Sequence, residues 1–232
     1  GVQTCALPIF RIDGVPMDPP RIITLAQALR GEIARLNATF FEATTLMAFR
    51  HFADENVDVA VVETGLGGRL DATNIVSPAL TVVTSISVEH VEYLGGSLAS
   101  IAAEKAGIIK PGIPCVTPNR DAEVLAVLKR HCDASGAAMH IVHAPPFPPR
   151  LRDPDSMECA LPGFDRPVEV GLVGAHQVEN AATAVTALRL LARRGFTALD
   201  DESIMAGLRE VRGRSGLRGR LERLQHSPEL VV

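Results

Sequence analysis

Val57-Asp-Val-Ala-Val-Val-Glu63 (VDVAVVE) is a short, β-branched, nearly continuous apolar run, and Gly65-Leu-Gly-Gly68 follows it within two residues. A run without polar alternation is how a strand buried on both faces reads, and such strands belong to parallel sheets. Leu80–Ile86 (LTVVTSI) repeats the pattern, and Ile113–Val116 and Met139–Val142 give two more short strands. Helical spacing separates them. Ser97–Ala106 is closed by Gly107, and Asp121 to about Ser135 carries Leu125, Leu128 and Cys132 on one face. This β-α-β alternation predicts an α/β fold, a doubly wound, mostly parallel sheet with helices on both faces.

Upstream, Asp13-Gly14 between Phe10, Ile12, Val15 and Met17 predicts a small hairpin. Leu25, Leu29, Ile33 and Leu36 recur at helical spacing. A second helix is expected from Thr39, with Glu42 as its capping-box partner, to about Asp54. Downstream, proline-rich Pro145–Pro154 reads as a loop, and Met157–Leu161 with Val168–Leu172 as a peripheral antiparallel ribbon. Helices follow over Gln177–Arg193 and Asp201–Val211. Gly213–Gly219 reads as a linker, and Leu221 onward as a first strand of something further.

Bulk composition excludes several classes of function. The 232 residues are 47% hydrophobic and 22% charged, enough for a substantial core. A net charge of −4, no Trp and one Tyr give no basis for nucleic-acid binding. No apolar run approaches a bilayer span. The four cysteines, Cys5, Cys115, Cys132 and Cys159, form no C-x-x-C pair, so zinc is not supported and reduced thiols in the cytoplasm are expected. Gly1–Ile9 lacks the charged start and apolar core of a signal peptide and lacks an initiator Met, so the chain is expected to begin downstream of its gene's start.

Five segments carry candidate chemistry. Glu63 to Asn74 (ETGLGGRLDATN) leaves a strand at its C-terminal end, where ligands bind in open α/β sheets. Three glycines within four residues allow close approach of the backbone to a ligand. Glu63 is placed either to meet a cation or to pair with Arg69. Ser87-Val-Glu-His90 lies at an equivalent strand end, so Glu89 and His90 are candidates for the same crevice. Lys105, near the end of a helix, complements the helix dipole or is open to chemical modification. Asn180, in His176-Gln-Val-Glu-Asn180, hydrogen-bonds either a nucleobase edge or its own helix start. Arg220, after a flexible stretch, is placed to reach a phosphate or stays solvated. No G-x-x-x-x-G-K-[ST] phosphate loop occurs in the chain.

In this order, ETGLGGRLDATN, S-x-x-E-H, EKAGIIKPG, HQ-x-x-N and G-R resemble the folylpolyglutamate synthase and dihydrofolate synthase family of the Mur-ligase-like superfamily. The resemblance runs from Phe10 to the C-terminus. Where the family carries T-S-P-H-L, this chain has GVQTCALPI, which is expected to be a non-native leader. The resemblance implies that residues 10–212 are a central ATP-binding domain without its N-terminal phosphate-loop part. It implies that residues 213–232 are a linker and the first strand of a C-terminal ligase domain. It further implies Glu63 and His90 as Mg2+ ligands, with a carbamylated Lys105 as a catalytic group alongside His90. Leu70, Asp71 and Ala72 would line the substrate pocket on the pterin side, and Asn180 and Arg220 would contact ATP. The implied reaction is ATP-dependent addition of L-glutamate to dihydropteroate or folate by a monomer. The competing expectations are a Mur-type UDP-N-acetylmuramoyl-peptide ligase, disfavoured by the GLGGRLDATN segment, and a gene fragment without catalysis.

Overall fold

The computed structural model describes residues 10–88, 95–143, 148–216, 223–226 and 229–231, the last two stretches as backbone only. Strand β4 (Cys115–Thr117) organises the fold, because all three of its side chains are buried. It pairs in parallel with β3 (Thr81–Val82) on one side and with β5 (Met139–Ile141) on the other. Pleating sends adjacent side chains to opposite faces. Cys115 and Val83 enter one core, with Ala102, Val124 and Leu128 from helices α3 (Leu98–Ala106) and α4 (Ala122–Ala134). Val116 enters the other, with Val178, Ala182 and Val185 of helix α5 (Ala175–Arg193). Helices on both faces of a parallel sheet are the expected architecture.

The second core is completed by an antiparallel sheet, β6 (Arg150–Asp153), β7 (Ser156–Cys159) and β8 (Val168–Val170), and by helix α6 (Asp201–Arg209). The expected ribbon is therefore three strands wide. Proline before and after Arg150–Asp153 masked β6, which is exposed along its length and so lacks an apolar signature. A third, smaller cluster joins Met17, Leu25 and Met47. It holds the hairpin of β1 (Arg11–Ile12) and β2 (Val15–Pro16) against α1 (Pro19–Leu36) and α2 (Phe40–Asp54). The α2 capping box forms as its sequence predicts: Glu42 N–H donates to Thr39 Oγ1 (3.3 Å) and Thr39 N–H to Glu42 Oε2 (2.7 Å).

Three expectations are corrected. No ladder joins Val57–Glu63 to the sheet among the described residues, and Val59 and Val61 are 55% and 97% exposed. An apolar run becomes a buried strand only where partners cover both its faces, and the described residues supply none. The predicted strand Leu80–Ile86 pairs only at Thr81–Val82, with one further bond from Val83 N–H to the Val116 carbonyl (2.9 Å). The predicted helix to Val211 breaks at Glu210, and Gly213 lies inside a short helix α7 (Val211–Ser215) rather than in a linker. After it, β9 (Arg223–His226) and β10 (Glu229–Val231) pair antiparallel. Cys115, Cys132 and Cys159 are free and buried. No helix among the described residues is long and apolar enough to cross a membrane.

Truncating Leu128, which is fully buried beneath the sheet, is expected to cost about 2–5 kcal/mol as Leu128→Ala. Val61→Ala is expected to stay within about 0.5 kcal/mol of the parent. Urea unfolding of the two variants checks both, and a large loss at Val61 would contradict its exposure.

Candidate functional site

The glycine-rich stretch docks onto the end of α3. Arg69 N–H donates to the Glu104 carbonyl (2.8 Å), and the Arg69 guanidinium donates from Nε and Nη2 to Glu104 Oε1 (3.1 and 3.0 Å). Asn74 Nδ2 donates to the Arg69 and Gly107 carbonyls, and Lys110 Nζ to the Asn74 carbonyl. The approach is close because two side chains are missing. A Cβ on Gly68 would lie 2.9 Å from the Glu104 carbonyl oxygen, and one on Gly107 would lie 2.5 Å from Arg69 Cα. The ETGLGGRLDATN and EKAGIIKPG segments are thus one interlocked unit.

Asp71 shapes the loop from inside. Its Oδ2 accepts from Gly65 and Leu66 N–H (2.8 and 3.1 Å), and its Oδ1 from Thr73 N–H and Oγ1 (2.9 and 2.6 Å). Burial pushes the carboxyl upward, but these hydrogen bonds outweigh it and hold the carboxyl below the usual range. The Asp71 carboxylate is therefore committed to the loop. Leu70, 79% exposed, is the side chain presented outward, and Ala72 opens the single turn Ala72–Ile75.

The two readings of Glu63 separate here. Arg69 pairs with Glu104, not with Glu63. Glu63 is exposed and has no hydrogen-bond or ion-pair partner among the described residues. Its exposure also removes the argument that burial forces a cation upon it. Lys105 is half-buried in the last turn of α3, and its amine likewise has no partner among the described residues. Glu89, His90 and Arg220 lie outside the described residues. Asn180 is exposed and makes the local bond, Nδ2 to Gln177 Oε1 (3.0 Å), which leaves its carbonyl oxygen open.

Two residues outside the fixed positions of the motifs also act here. Asn119, just past β4, is 5% exposed, and its amide grips the segment after β3. Glu179, next to Asn180, accepts a hydrogen bond from Ser85 Oγ and ties the start of α5 to the same segment. The signal for Asn119 was its position at the end of the next strand, not its neighbours in sequence.

Among the described residues, no group of three or more His, Cys, Asp or Glu side chains is placed to hold a metal by protein ligands alone. Mg2+ takes one or two carboxylates together with waters and substrate phosphates, and the open Glu63 carboxylate is a donor of that kind. Two of the buried thiols are not candidates for nucleophiles: burial pushes Cys115 up to about 12 and Cys159 up to about 11. A cavity of about 370 Å³ lined by Arg152, Arg166, Glu169 and Arg209 contains none of the site residues.

Residues 21–188 match the Mur ligase middle domain. The chain belongs to that family. The chain is 34% identical over 95% of its length to a dihydrofolate synthase/folylpolyglutamate synthase of Bacillus subtilis, of which it covers 53%. It superposes on the folylpolyglutamate synthase of Mycobacterium tuberculosis complexed with ADP and AMPPCP with a TM-score of 0.81 at 30% identity, covering 96% of this chain and 52% of that one. On a folylpolyglutamate synthase complex with AMPPCP and folate the TM-score is 0.80 at 29% identity, with 98% and 58% covered. The chain spans about half the length of the curated relatives it matches.

The interlock makes two predictions. Gly107→Ala forces a methyl group into Arg69 and is expected to cost about 1–3 kcal/mol by urea unfolding. A neutral effect would contradict the packing. Because the folded Asp71 carboxyl is held below its unfolded value, its contribution is complete above about pH 4 and is lost as pH falls through the folded value. Amide exchange at Gly65 and Leu66, corrected for its intrinsic pH dependence, should therefore rise on acidification in the parent. Asp71→Asn should lack that acid step.

Proposed function

We propose that this chain is the central part of an ATP-dependent ligase that joins L-glutamate to dihydropteroate or to folate. The observation that carries the proposal is the interlock of loop Gly65–Asn74 with the end of α3, which engages Arg69 with Glu104 and leaves the Glu63 carboxylate and the Lys105 amine open. Dihydrofolate and folylpolyglutamate synthases as relatives, and neighbours holding ATP analogues and folate, support the choice of substrates.

The reaction has two steps. An acceptor carboxylate oxygen attacks the γ-phosphorus of ATP, releasing ADP and giving an acyl phosphate. The neutral amino group of glutamate then attacks the acyl carbon, expels inorganic phosphate, loses a proton and leaves an amide. A carboxylate and a nucleotide triphosphate repel each other, so the protein's task is positioning and charge compensation. Glu63 and His90 would hold Mg2+. Bound there, Mg2+ would neutralise phosphate charge and align the reactants. Carbamylation would convert the Lys105 amine into an anionic oxygen donor beside that site. Asn180, through its open carbonyl oxygen, and Arg220 would orient the nucleotide, and exposed Leu70 would meet the acceptor beside Ala72 and the loop held by Asp71. We place the protein in the cytoplasm as a monomer.

These 232 residues contain no G-x-x-x-x-G-K-[ST] loop to cradle the β- and γ-phosphates. The chain by itself is therefore expected to release no measurable phosphate from ATP with glutamate and folate or dihydropteroate. The full-length protein is expected to do so, and Glu63→Gln in it to lower the rate by about 10²-fold. Ligation by the 232 residues alone, or full activity in Glu63→Gln, would contradict the proposal.

A further inference from the structure

We propose that Asn74, seated by Lys110, is a positioning residue for the turn that meets the acceptor. The inference rests on the ligase function above, with Leu70 and Ala72 as acceptor contacts. The turn from Arg69 to Asn74 carries Leu70 outward, 79% exposed. A side chain so exposed is held by the backbone beneath it rather than by packing. Within the turn, Asp71 N–H donates to the Gly68 carbonyl (3.1 Å) and Asn74 N–H to the Asp71 carbonyl (2.9 Å). Those bonds curl the chain. Its attachment to the molecule comes at the two ends, and Arg69 N–H, bonded to the Glu104 carbonyl (2.8 Å), anchors the entrance.

The Asn74 side chain anchors the exit and closes the turn. Its Nδ2 has two hydrogens to give. One goes to the Arg69 carbonyl (3.1 Å), across the mouth of the turn, and the other to the Gly107 carbonyl (3.0 Å) at the end of α3. Both partners are acceptors, so only the amide nitrogen can face them. Carbonyls at a helix C-terminus have no onward helical donor. Here the loop supplies donors to two of them, at Glu104 and at Gly107. Lys110 completes the clasp, its Nζ donating to the Asn74 carbonyl (2.8 Å). A charged donor makes the stronger kind of hydrogen bond. The backbone behind it is firm: Ile109 is buried in the core of α3 and α4, and the Lys110 carbonyl accepts from Ile113 N–H (3.1 Å). The two lysines of EKAGIIKPG therefore divide the work. Lys110 is committed to the turn, whereas the Lys105 amine has no partner among the described residues. The place of Leu70 is set by α3 through Gly107 and by Lys110 through Asn74.

The test uses the full-length protein as wild type, Asn74→Ala, Lys110→Met and Lys110→Arg. Hydrogen exchange in the peptide covering Arg69–Asn74 is expected to quicken by about tenfold in Asn74→Ala, while α4 and β5 stay protected. With dihydropteroate and with folate as acceptors, the acceptor KM in glutamate-dependent ATP turnover is expected to rise by about tenfold in Asn74→Ala and about threefold in Lys110→Met, with the KM for ATP unmoved. Lys110→Arg keeps a charged donor and is expected to restore the acceptor KM to within about twofold of wild type. A residue that only stabilised the fold would lower the folded fraction and leave every KM where it was. An unmoved acceptor KM, an equal rise in the KM for ATP, or unchanged exchange over Arg69–Asn74 would overturn the inference. If Asn74→Ala does not fold, Lys110→Met is held to the same criteria. Wild-type protein without acceptor-dependent turnover would overturn the ligase function itself, a result distinct from failure of a variant alone.

Discussion

The packing of β4 is the constraint on which the rest depends. Cys115, Val116 and Thr117 are all fully buried, and their side chains alternate between two separate cores. A strand in that position cannot slide by one residue without exchanging the contents of the two cores, so its register against β3 and β5 is fixed. The C-terminal ends of β3 and β4 are fixed with it. In an open parallel sheet those ends form the ligand crevice. The segment after β3 and the start of α5 are tied to that edge by Asn119 and Glu179, and the loop after Glu63 docks on the end of α3, a helix packed on the same sheet.

Two devices translate the packed sheet into a site. The first is steric: with no side chain at Gly68 or Gly107, the loop and the end of α3 come within direct backbone contact, and Arg69 reaches Glu104. Pairing those two charges decides which carboxylate stays open, and it is Glu63. The second is polar: Asn119 and Glu179 take over where the backbone ladder stops. Neither device requires large buried area. Both rely on a rigid element behind them, as a site held to sub-ångström tolerance requires.

Much of this was legible in the residues. The α2 capping box and the alternation of short strands with helices are local signals, and local signals predicted the elements they belong to. Val57–Glu63 misled because a doubly apolar run records an environment, not a conformation; without covering partners it forms no ladder, and Val59 and Val61 stay exposed. Strand β6 was invisible because an exposed edge of Arg150–Asp153 has no apolar pattern to detect. At the candidate site, the residues left Glu63 between a cation and Arg69, and the choice was not legible because the partner of Arg69, Glu104, lies 35 residues away and only folding brings it near. Asp71 was read as pocket lining, whereas its carboxylate also builds the loop. Asn119 and Ser85–Glu179 act through contacts distant in sequence, which spacing does not encode.

Atom transfer tests the central claim, carboxylate activation by ATP at this strand edge, most directly. The full-length protein would be supplied with ATP, glutamate and an acceptor whose reacting carboxylate carries 18O, and the released phosphate analysed by mass spectrometry. An acyl phosphate intermediate transfers one 18O atom from the carboxylate into each phosphate as the amide forms. That is the predicted result. Phosphate free of 18O, with amide still produced, would contradict the account.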